Sequence, residues 1–190
     1  MSFCEATDHS LIFLNALPNL TQLDLSSNIS LTSEGLVALQ ALQSLTSVSL
    51  SECTKLTHLA PLHCLRSLTS LTVSWCKNLV DARHVPWSLT DLDLSNTTLC
   101  NDGLPDWRMQ HRLRRLRLTG TYIRDNGLEG IQVAKKLERL DLHRTPITDA
   151  CMPILAALPS LQSVDVSGTR ITNVSALSHV DSVFHWFVAN

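Results

Sequence analysis

The stretch LRRLRL, at residues 113–118, carries leucine at its first, fourth and sixth positions. Six further stretches follow the same L-x-x-L-x-L pattern, with valine replacing leucine at some positions: residues 20–25, 45–50, 68–73, 89–94, 137–142 and 161–166. Successive stretches begin 25, 23, 21, 24, 24 and 24 residues apart. This recurrence in register predicts that one structural unit is repeated about seven times.

The residues between the leucines are polar in most units. In a β-strand, successive side chains point to opposite faces, so the leucines would lie on one side and the polar residues on the other. One unit cannot bury its leucine face alone, and neighbouring units must therefore stack. We call the face formed by positions 22, 24 and 26 and their equivalents in the other six units the concave face.

These units resemble leucine-rich repeats over roughly residues 11–177. The resemblance implies an α/β solenoid, a right-handed leucine-rich repeat coil with a parallel concave sheet and short helices or irregular turns on the convex side. We expect residues 1–19 to form an N-terminal half-repeat or cap, residues 20–179 to form seven repeats, and residues 180–190 to form a C-terminal cap.

The resemblance also implies a hydrogen-bonding residue after each strand, usually asparagine in this family. The corresponding residues here are Asn28, Cys53, Cys76, Thr97, Thr121, Thr145 and Thr169. Thiol and hydroxyl groups are small hydrogen-bonding groups, so we expect them to replace the asparagine amide. We expect the cysteines at these and the other positions to be buried structural thiols.

The segments that follow the strands carry helical signals. Residues 33–39 and 125–131 place apolar side chains three or four apart behind a serine or an aspartate able to cap a helix. They predict short helices. Residues 55–62 predict a 3₁₀ or irregular turn, because Pro61 limits helical hydrogen bonding.

Composition narrows the function classes. The net charge of −2 gives no global attraction to nucleic acid or to an anionic membrane. The N-terminus lacks the pattern of a secretory signal, no apolar run is long enough to span a bilayer, and the six cysteines lack the paired spacing of a secreted disulfide scaffold. We therefore expect an intracellular, cytoplasmic protein without a membrane segment.

Charged and aromatic side chains on or beside the concave face are the candidate protein-binding residues. They are Asp91, Asp93, Arg115, Arg117, Arg139, Asp141, His143 and Trp75. Arginine and tryptophan are enriched where partner proteins bind most strongly. The alternative interpretation is that the acids and arginines only form cross-strand pairs on a solvated surface.

Motifs for catalysis and cofactor binding are absent from the sequence. The eight histidines show no metal-binding spacing, and there is no nucleophile motif or phosphate-binding loop, so we expect no catalytic, cofactor or metal site. His143 and Asp141 project the same way, as acid–base chemistry would need, but without a nucleophile or an enclosed pocket we interpret them as polar surface residues. Ten of the fifteen basic residues lie between positions 108 and 144, but interleaved aromatic residues are scarce, which argues against nucleic acid as partner.

Two function hypotheses remain from the sequence. The first is a non-catalytic protein–protein interaction module or adaptor that binds a protein ligand on the concave face. The second is an obligate structural subunit of a larger cytoskeletal or ribonucleoprotein assembly, with its open N-terminal edge and its convex side buried. The protein would accordingly be a monomer or a subunit of a hetero-complex.

Overall fold

A single parallel sheet runs through the part of the chain that the computed structural model describes, residues 6–186. Its eight strands follow one another in sequence order. They are β1 (Gln22–Asp24), β2 (Ser47–Ser49), β3 (Ser70–Thr72), β4 (Asp91–Asp93), β5 (Arg115–Arg117), β6 (Arg139–Asp141), β7 (Ser163–Asp165) and β8 (Ser182–Phe184). Seven strands coincide with the seven predicted stretches, and the solenoid fold is confirmed.

The central residue of each strand points into the core. Val48, Leu71, Leu92, Leu116, Leu140 and Val164 stand opposite one another in the register and are all at most 2% exposed. Stacking these aliphatic side chains removes most of their surface from water, which stabilises each turn only when its neighbours are present.

A left-handed residue follows every one of the first seven strands. Gly120 and Gly168 occupy this position in two turns, and Ser27, Glu52, Trp75, Asn96 and Arg144 occupy it in the others, with φ between 54° and 68°. The backbone N–H of each residue donates to a carbonyl of the next turn, as from Glu52 to Ser74 at 2.8 Å. The conformation therefore links each turn to its successor.

The hydrogen-bonding residue that comes next acts in two ways. The threonine hydroxyls donate to a carbonyl three residues earlier in their own turn, as from Thr121 to Leu118 at 2.7 Å. The thiols of Cys53 and Cys76 instead donate to carbonyls of the preceding turn, those of Leu25 and Leu50, both at 3.1 Å. Thiols and hydroxyls do replace the amide. The cysteines connect neighbouring turns, as Asn28 does when its Oδ1 accepts a hydrogen bond from the Ala6 N–H at 2.6 Å.

A second ladder, which the sequence analysis missed, runs along the convex side. The carboxylates of Asp8, Asp125 and Asp149 accept hydrogen bonds from the backbone N–H groups of Thr32, Thr148 and Thr172 in the next turn, at 2.7–2.9 Å. The Ser33 hydroxyl accepts from Thr57 N–H at 2.9 Å in the same way. The prediction that Ser33 and Asp125 cap helices was wrong, since both side chains bond the following turn.

The convex segments form short helices, most of them of the tighter 3₁₀ type. The 3₁₀ helices are Ile12–Ala16, Gly35–Ala41, Ala60–Cys64, Asn101–Gly103, Trp107–Met109, Asp125–Leu128, Ile131–Val133, Asp149–Cys151 and Ser175–Leu177. The α-helices are α1 (Asp8–Leu11) and α2 (Met152–Ala156). Trp107 fills the space between two of these segments, and its indole N–H donates to Gly127 O at 2.7 Å.

The two ends of the described chain differ. At the N-terminal end, α1 and the following 3₁₀ helix cover the first turn but leave Ile12, Phe13 and Leu17 more than half exposed. At the other end, β8 extends the sheet within the segment expected to be a C-terminal cap. Residues 1–5 and 187–190, which belong to the two predicted caps, lie outside the described residues.

Candidate protein-binding face

Six of the eight predicted binding residues form one block on three adjoining strands. The first outward positions of β4, β5 and β6 carry Asp91, Arg115 and Arg139, which are register partners. Two residues further on, the same strands carry Asp93, Arg117 and Asp141, again as register partners. The parallel register thus converts residues 24 apart in sequence into lateral neighbours.

Two arginines of the block form ion pairs with the strand before them. Arg115 Nη1 lies 2.6 Å from Asp91 Oδ1, and Arg117 Nη1 lies 3.6 Å from Asp93 Oδ2. Both arginine side chains remain about half exposed, so the pairs contribute little to stability. The cross-strand pairing considered as the alternative interpretation is therefore present for these two arginines, and it orients their guanidinium groups.

Asp93 and Asp141 also form local hydrogen bonds at the ends of their strands. Asp93 Oδ1 accepts a hydrogen bond from the backbone N–H of Ser95 at 2.9 Å, and Asp141 Oδ1 accepts from that of His143 at 3.0 Å. Asp24 and Asp165 make the equivalent bond in their own turns. These turn hydrogen bonds alone explain why aspartate stands at the last position of these strands, and no bound ligand is needed to explain it.

Arg139 differs from the other two arginines. It is exposed, and it forms no ion pair with any residue between positions 6 and 186. Its register partners are Arg115 on one side and Ser163 on the other. The block therefore ends in a guanidinium group that forms no ion pair within 4 Å with a carboxylate of residues 6–186.

His143 is held by a chain of hydrogen bonds. Its Nδ1 lies 2.8 Å from Ser167 Oγ, and the Ser167 hydroxyl donates to the Asp165 carboxylate. A serine nucleophile needs its proton accepted by a histidine, with the carboxylate behind the histidine. Here the carboxylate accepts the serine proton, and Asp141 contacts only the backbone of His143, so the arrangement orients the imidazole and does not activate a nucleophile.

Two aromatic residues at the end of the sheet were missed as candidates. Phe184 and Trp186 are 50% and 54% exposed, and the Trp186 ring packs against His143 with centroids 5.8 Å apart. Together with the three arginines, Asp141 and Asp165, they line a groove of about 430 Å³. Val180 and Val183, spaced as in L-x-x-L, were the sequence signal for this eighth strand.

Trp75 is not part of the groove. It is 48% exposed in the left-handed position after β3, and Lys77 Nζ lies 5.7 Å from the centroid of its ring. Its backbone N–H donates to Ser95 O at 2.9 Å, which places it beside the end of β4. Trp75 therefore borders the charged block on the side opposite the aromatic residues.

The basic sector between positions 108 and 144 is divided between surfaces. Arg114 pairs with Glu138, and the Arg112 guanidinium lies 5.7 Å from the ring centroid of Trp87. Neither side chain joins Arg115 and Arg117 in lining the groove. The sector is thus not one continuous basic strip.

The cysteines are free thiols wherever the chain is described. Cys53, Cys76 and Cys151 are buried as predicted, and burial raises the pKa of these thiols to about 11, about 12 and about 12. The prediction was wrong for Cys100, which is exposed, and for Cys64, which is half-buried, because neither side chain packs in the core, as that of Cys151 in another convex segment does. In residues 6–186 there is no cluster of three or more His, Cys, Asp or Glu side chains arranged for a metal ion.

The described residues contain no helix that is both long and apolar enough to cross a membrane. A Leucine Rich repeat family model matches residues 16–39, which span the first strand and its return segment. A comparison with curated protein sequences gave no match.

Two solved structures share the fold, both internalins from Listeria monocytogenes. An internalin (inlF) aligns with a TM-score of 0.56 at 19% identity, over 90% of this chain and 63% of that one. An internalin C2 (inlC2) aligns with a TM-score of 0.52 at 21% identity, over 93% of this chain and 74% of that one. The chain thus spans less than two thirds of the length of the first internalin, and at these identities the likeness concerns the fold.

Proposed function

We propose that this chain, a leucine-rich repeat protein, is a non-catalytic interaction module or adaptor that binds a protein ligand on its concave face. The observation that carries the proposal is the continuous block formed by Asp91, Asp93, Arg115, Arg117, Arg139 and Asp141, flanked by Trp75 and His143. Charged residues on a rigid sheet need no ordering before they meet a partner, which favours specific and rapid binding.

Three features support a protein rather than another ligand. The groove is open and mixes both signs of charge with aromatic surface, as protein interfaces do. The arginines of the basic sector lie on different surfaces, so we propose no nucleic acid partner. The Ser167 hydroxyl is engaged by Asp165, so we propose no catalytic role for His143 or Asp141. We also propose no cofactor and no metal.

We also propose that the protein acts inside the cell, in the cytoplasm, as a monomer until it meets its partner or joins a hetero-complex. The support is the set of free thiols, which includes the exposed Cys100. Exposed thiols persist in a reducing compartment.

The second candidate function is that of an obligate subunit of a larger cytoskeletal or ribonucleoprotein assembly. The observation that favours it is the apolar N-terminal end, where Ile12, Phe13 and Leu17 are 60%, 78% and 51% exposed. The Ile12–Ala16 helix packs on the Gly35–Ala41 helix at the end of the solenoid where β1 is the edge strand. Exposed apolar surface next to an unpaired strand edge commonly marks a contact with another chain.

A double charge reversal tests the first candidate. Arg115→Glu with Arg117→Glu, introduced into the tagged chain in native cells, should lower recovery of the specific partner about tenfold or more. Arg66→Glu with Arg124→Glu changes the net charge equally at exposed positions outside the concave face, and should leave recovery unchanged. Equal recovery with both double variants would reject concave-face binding, provided that both unfold at the wild-type temperature.

A further inference from the structure

We propose that the groove at the C-terminal end of the concave face binds an extended segment of a partner protein that carries one carboxylate and, three or four residues away, a large apolar side chain. This inference rests on the proposed concave-face function and specifies the chemistry of its ligand. The carboxylate would bind Arg139, and the apolar side chain would pack on Phe184 and Trp186.

We assign Arg139 as the residue that binds the ligand carboxylate, because its guanidinium group forms no ion pair within residues 6–186. Arg115 and Arg117 turn toward Asp91 and Asp93, whereas Arg139 has no such partner in residues 6–186. Its neighbour in the register is Arg115, and a second positive charge beside it increases the attraction for an anion. A guanidinium group binds a carboxylate through two parallel hydrogen bonds, which fixes the orientation of the ligand.

Phe184 and Trp186 are the apolar anchor because half of each side chain is exposed at the same groove. The Trp186 ring is already oriented by His143, whose Nδ1 is in turn bonded to Ser167. An aromatic surface fixed before binding loses little conformational entropy when a partner covers it. Covering it also removes apolar surface from water.

The sheet geometry sets the spacing of the two ligand groups. Arg139 on β6 pairs with Ser163 on β7, which pairs with Ser182 on β8, and Phe184 lies two residues beyond Ser182. Two strand separations and two residues along a strand give about 12 Å between the Cα atoms of Arg139 and Phe184. An extended chain advances about 3.3 Å per residue, so three or four residues cover this distance.

Charges between the anchors favour a protein segment over a polyanion. Asp141 and Asp165 stand next to each other in the register and line the groove between Arg139 and the aromatic residues. These carboxylates attract backbone N–H groups or a positive side chain and repel a second negative charge. A nucleic acid strand carries a phosphate at every nucleotide and would meet this repulsion, whereas a segment with a single carboxylate would not.

A random dodecapeptide library displayed on phage, selected against the whole protein, tests the inference. We expect enriched peptides in which Asp or Glu stands three or four residues from Trp, Phe or Leu. Synthetic copies should bind Arg139→Gln about tenfold more weakly than wild type, and replacing their acidic residue by its amide should weaken wild-type binding equally. Arg66→Gln, an exposed arginine outside the concave face, is the matched control and should bind normally.

The outcomes separate this inference from the proposed function. Enriched peptides that lack the acidic residue, yet lose binding to the variant Arg115→Glu with Arg117→Glu, overturn the inference and leave concave-face binding intact. Peptides whose binding none of these substitutions changes, or a library without enrichment, count against both. Because Arg139 is exposed and forms no ion pair within residues 6–186, Arg139→Gln should unfold at the wild-type temperature. If the variant unfolds at a lower temperature and binds every peptide more weakly, the inference is also overturned.

Discussion

The Cys76 thiol donates a hydrogen bond to the backbone carbonyl of Leu50, 3.1 Å away in the preceding turn of the solenoid. Cys53 makes the equivalent bond to Leu25. Both thiols are fully buried, so the bonds give each S–H group a partner within the protein. The first turns are thereby tied together through sulfur, where the later turns use threonine within a single turn.

Thiol reactivity should follow this burial. The thiolate is the reactive form, and burial raises the pKa of Cys53 to about 11 and that of Cys76 to about 12. Iodoacetamide at about pH 8 should therefore leave both unmodified in the folded protein while it alkylates the exposed Cys100. Mass spectrometry of digested samples measures this, and denatured protein, in which every cysteine should react, is the control. Modification of Cys76 as fast as Cys100 would refute the assigned packing.

The left-handed position after each strand predicts a stabilising substitution. Glu52 holds φ at 62°, where glycine already stands in two equivalent turns, and a side chain in this conformation costs about 1–2 kcal/mol. Glycine loses more backbone entropy on folding than glutamate does, which offsets part of this gain. Glu52→Gly should therefore raise the free energy of unfolding by about 0.5 kcal/mol.

Glu129→Gly is the matched comparison, because Glu129 is also exposed but has φ at −59°. It should lower the free energy of unfolding by about 0.5–1 kcal/mol. Urea denaturation measures both values. Losses of the same size in the two variants would show that the left-handed residue is not strained.

Gly103 marks a close approach between turns. A Cβ atom there would lie 2.0 Å from the carbonyl oxygen of Val80, and backbone cannot move aside as a side chain does. Gly103→Ala should lower the free energy of unfolding by about 1–3 kcal/mol. At Gly127 the first obstacle is the Asn101 side chain, so Gly127→Ala should cost less. Thermal unfolding of the two variants ranks them, and the reverse order would contradict the packing of these turns.

The Asp149 carboxylate of the convex ladder should make stability depend on pH. Asp149 accepts hydrogen bonds from the Thr172 side chain and from the backbone of Thr172 and Asn173, which lower its pKa below the ordinary 3.8. A lowered folded-state pKa adds stability above the ordinary value, and this contribution is lost as the pH falls through the lowered one. The stability advantage of wild type over Asp149→Asn should therefore shrink from about pH 6 to about pH 3.

Denaturation midpoints across this range measure the effect. Asp102→Asn is the control variant, because it changes an exposed aspartate of an earlier convex segment that is not one of the ladder residues. A wild-type advantage over Asp149→Asn that grows on acidification would have the wrong sign for a ladder of ionised carboxylates.

The sequence allowed the strands and the concave face to be predicted because both follow from one repeated spacing. Leu116 and Leu140 had to face inward once their period was known, and Arg115 and Arg139 then had to be lateral neighbours. Pairing partners were less predictable. Asp93 and Asp141 serve both the concave face and their local turns, and only the geometry distinguishes Arg139, which lacks an ion pair among residues 6–186, from Arg115, which has one.

The missed features depend on contacts between turns that no local pattern encodes. Asp125 precedes an apolar segment as a capping residue would, but its carboxylate accepts a hydrogen bond from the Thr148 N–H of the next turn, at 2.8 Å. Phe184 and Trp186 stand in a unit only 19 residues after the preceding register partner, Ser163 to Ser182, and this unit has lost its leucines. Its strand extends the sheet beside β7, and Val183 packs against the core.

Site-specific photo-crosslinking tests concave-face binding most directly. Benzoylphenylalanine would replace Ser163 on the concave face, Gln132 on the convex side, or Val37 near the exposed N-terminal residues, each in the full chain in native cells. We predict that position 163 forms a crosslink to one partner protein, that positions 132 and 37 do not, and that the crosslink disappears with Arg115→Glu and Arg117→Glu. Crosslinks to a partner from position 37 or 132, with none from position 163, would contradict the account.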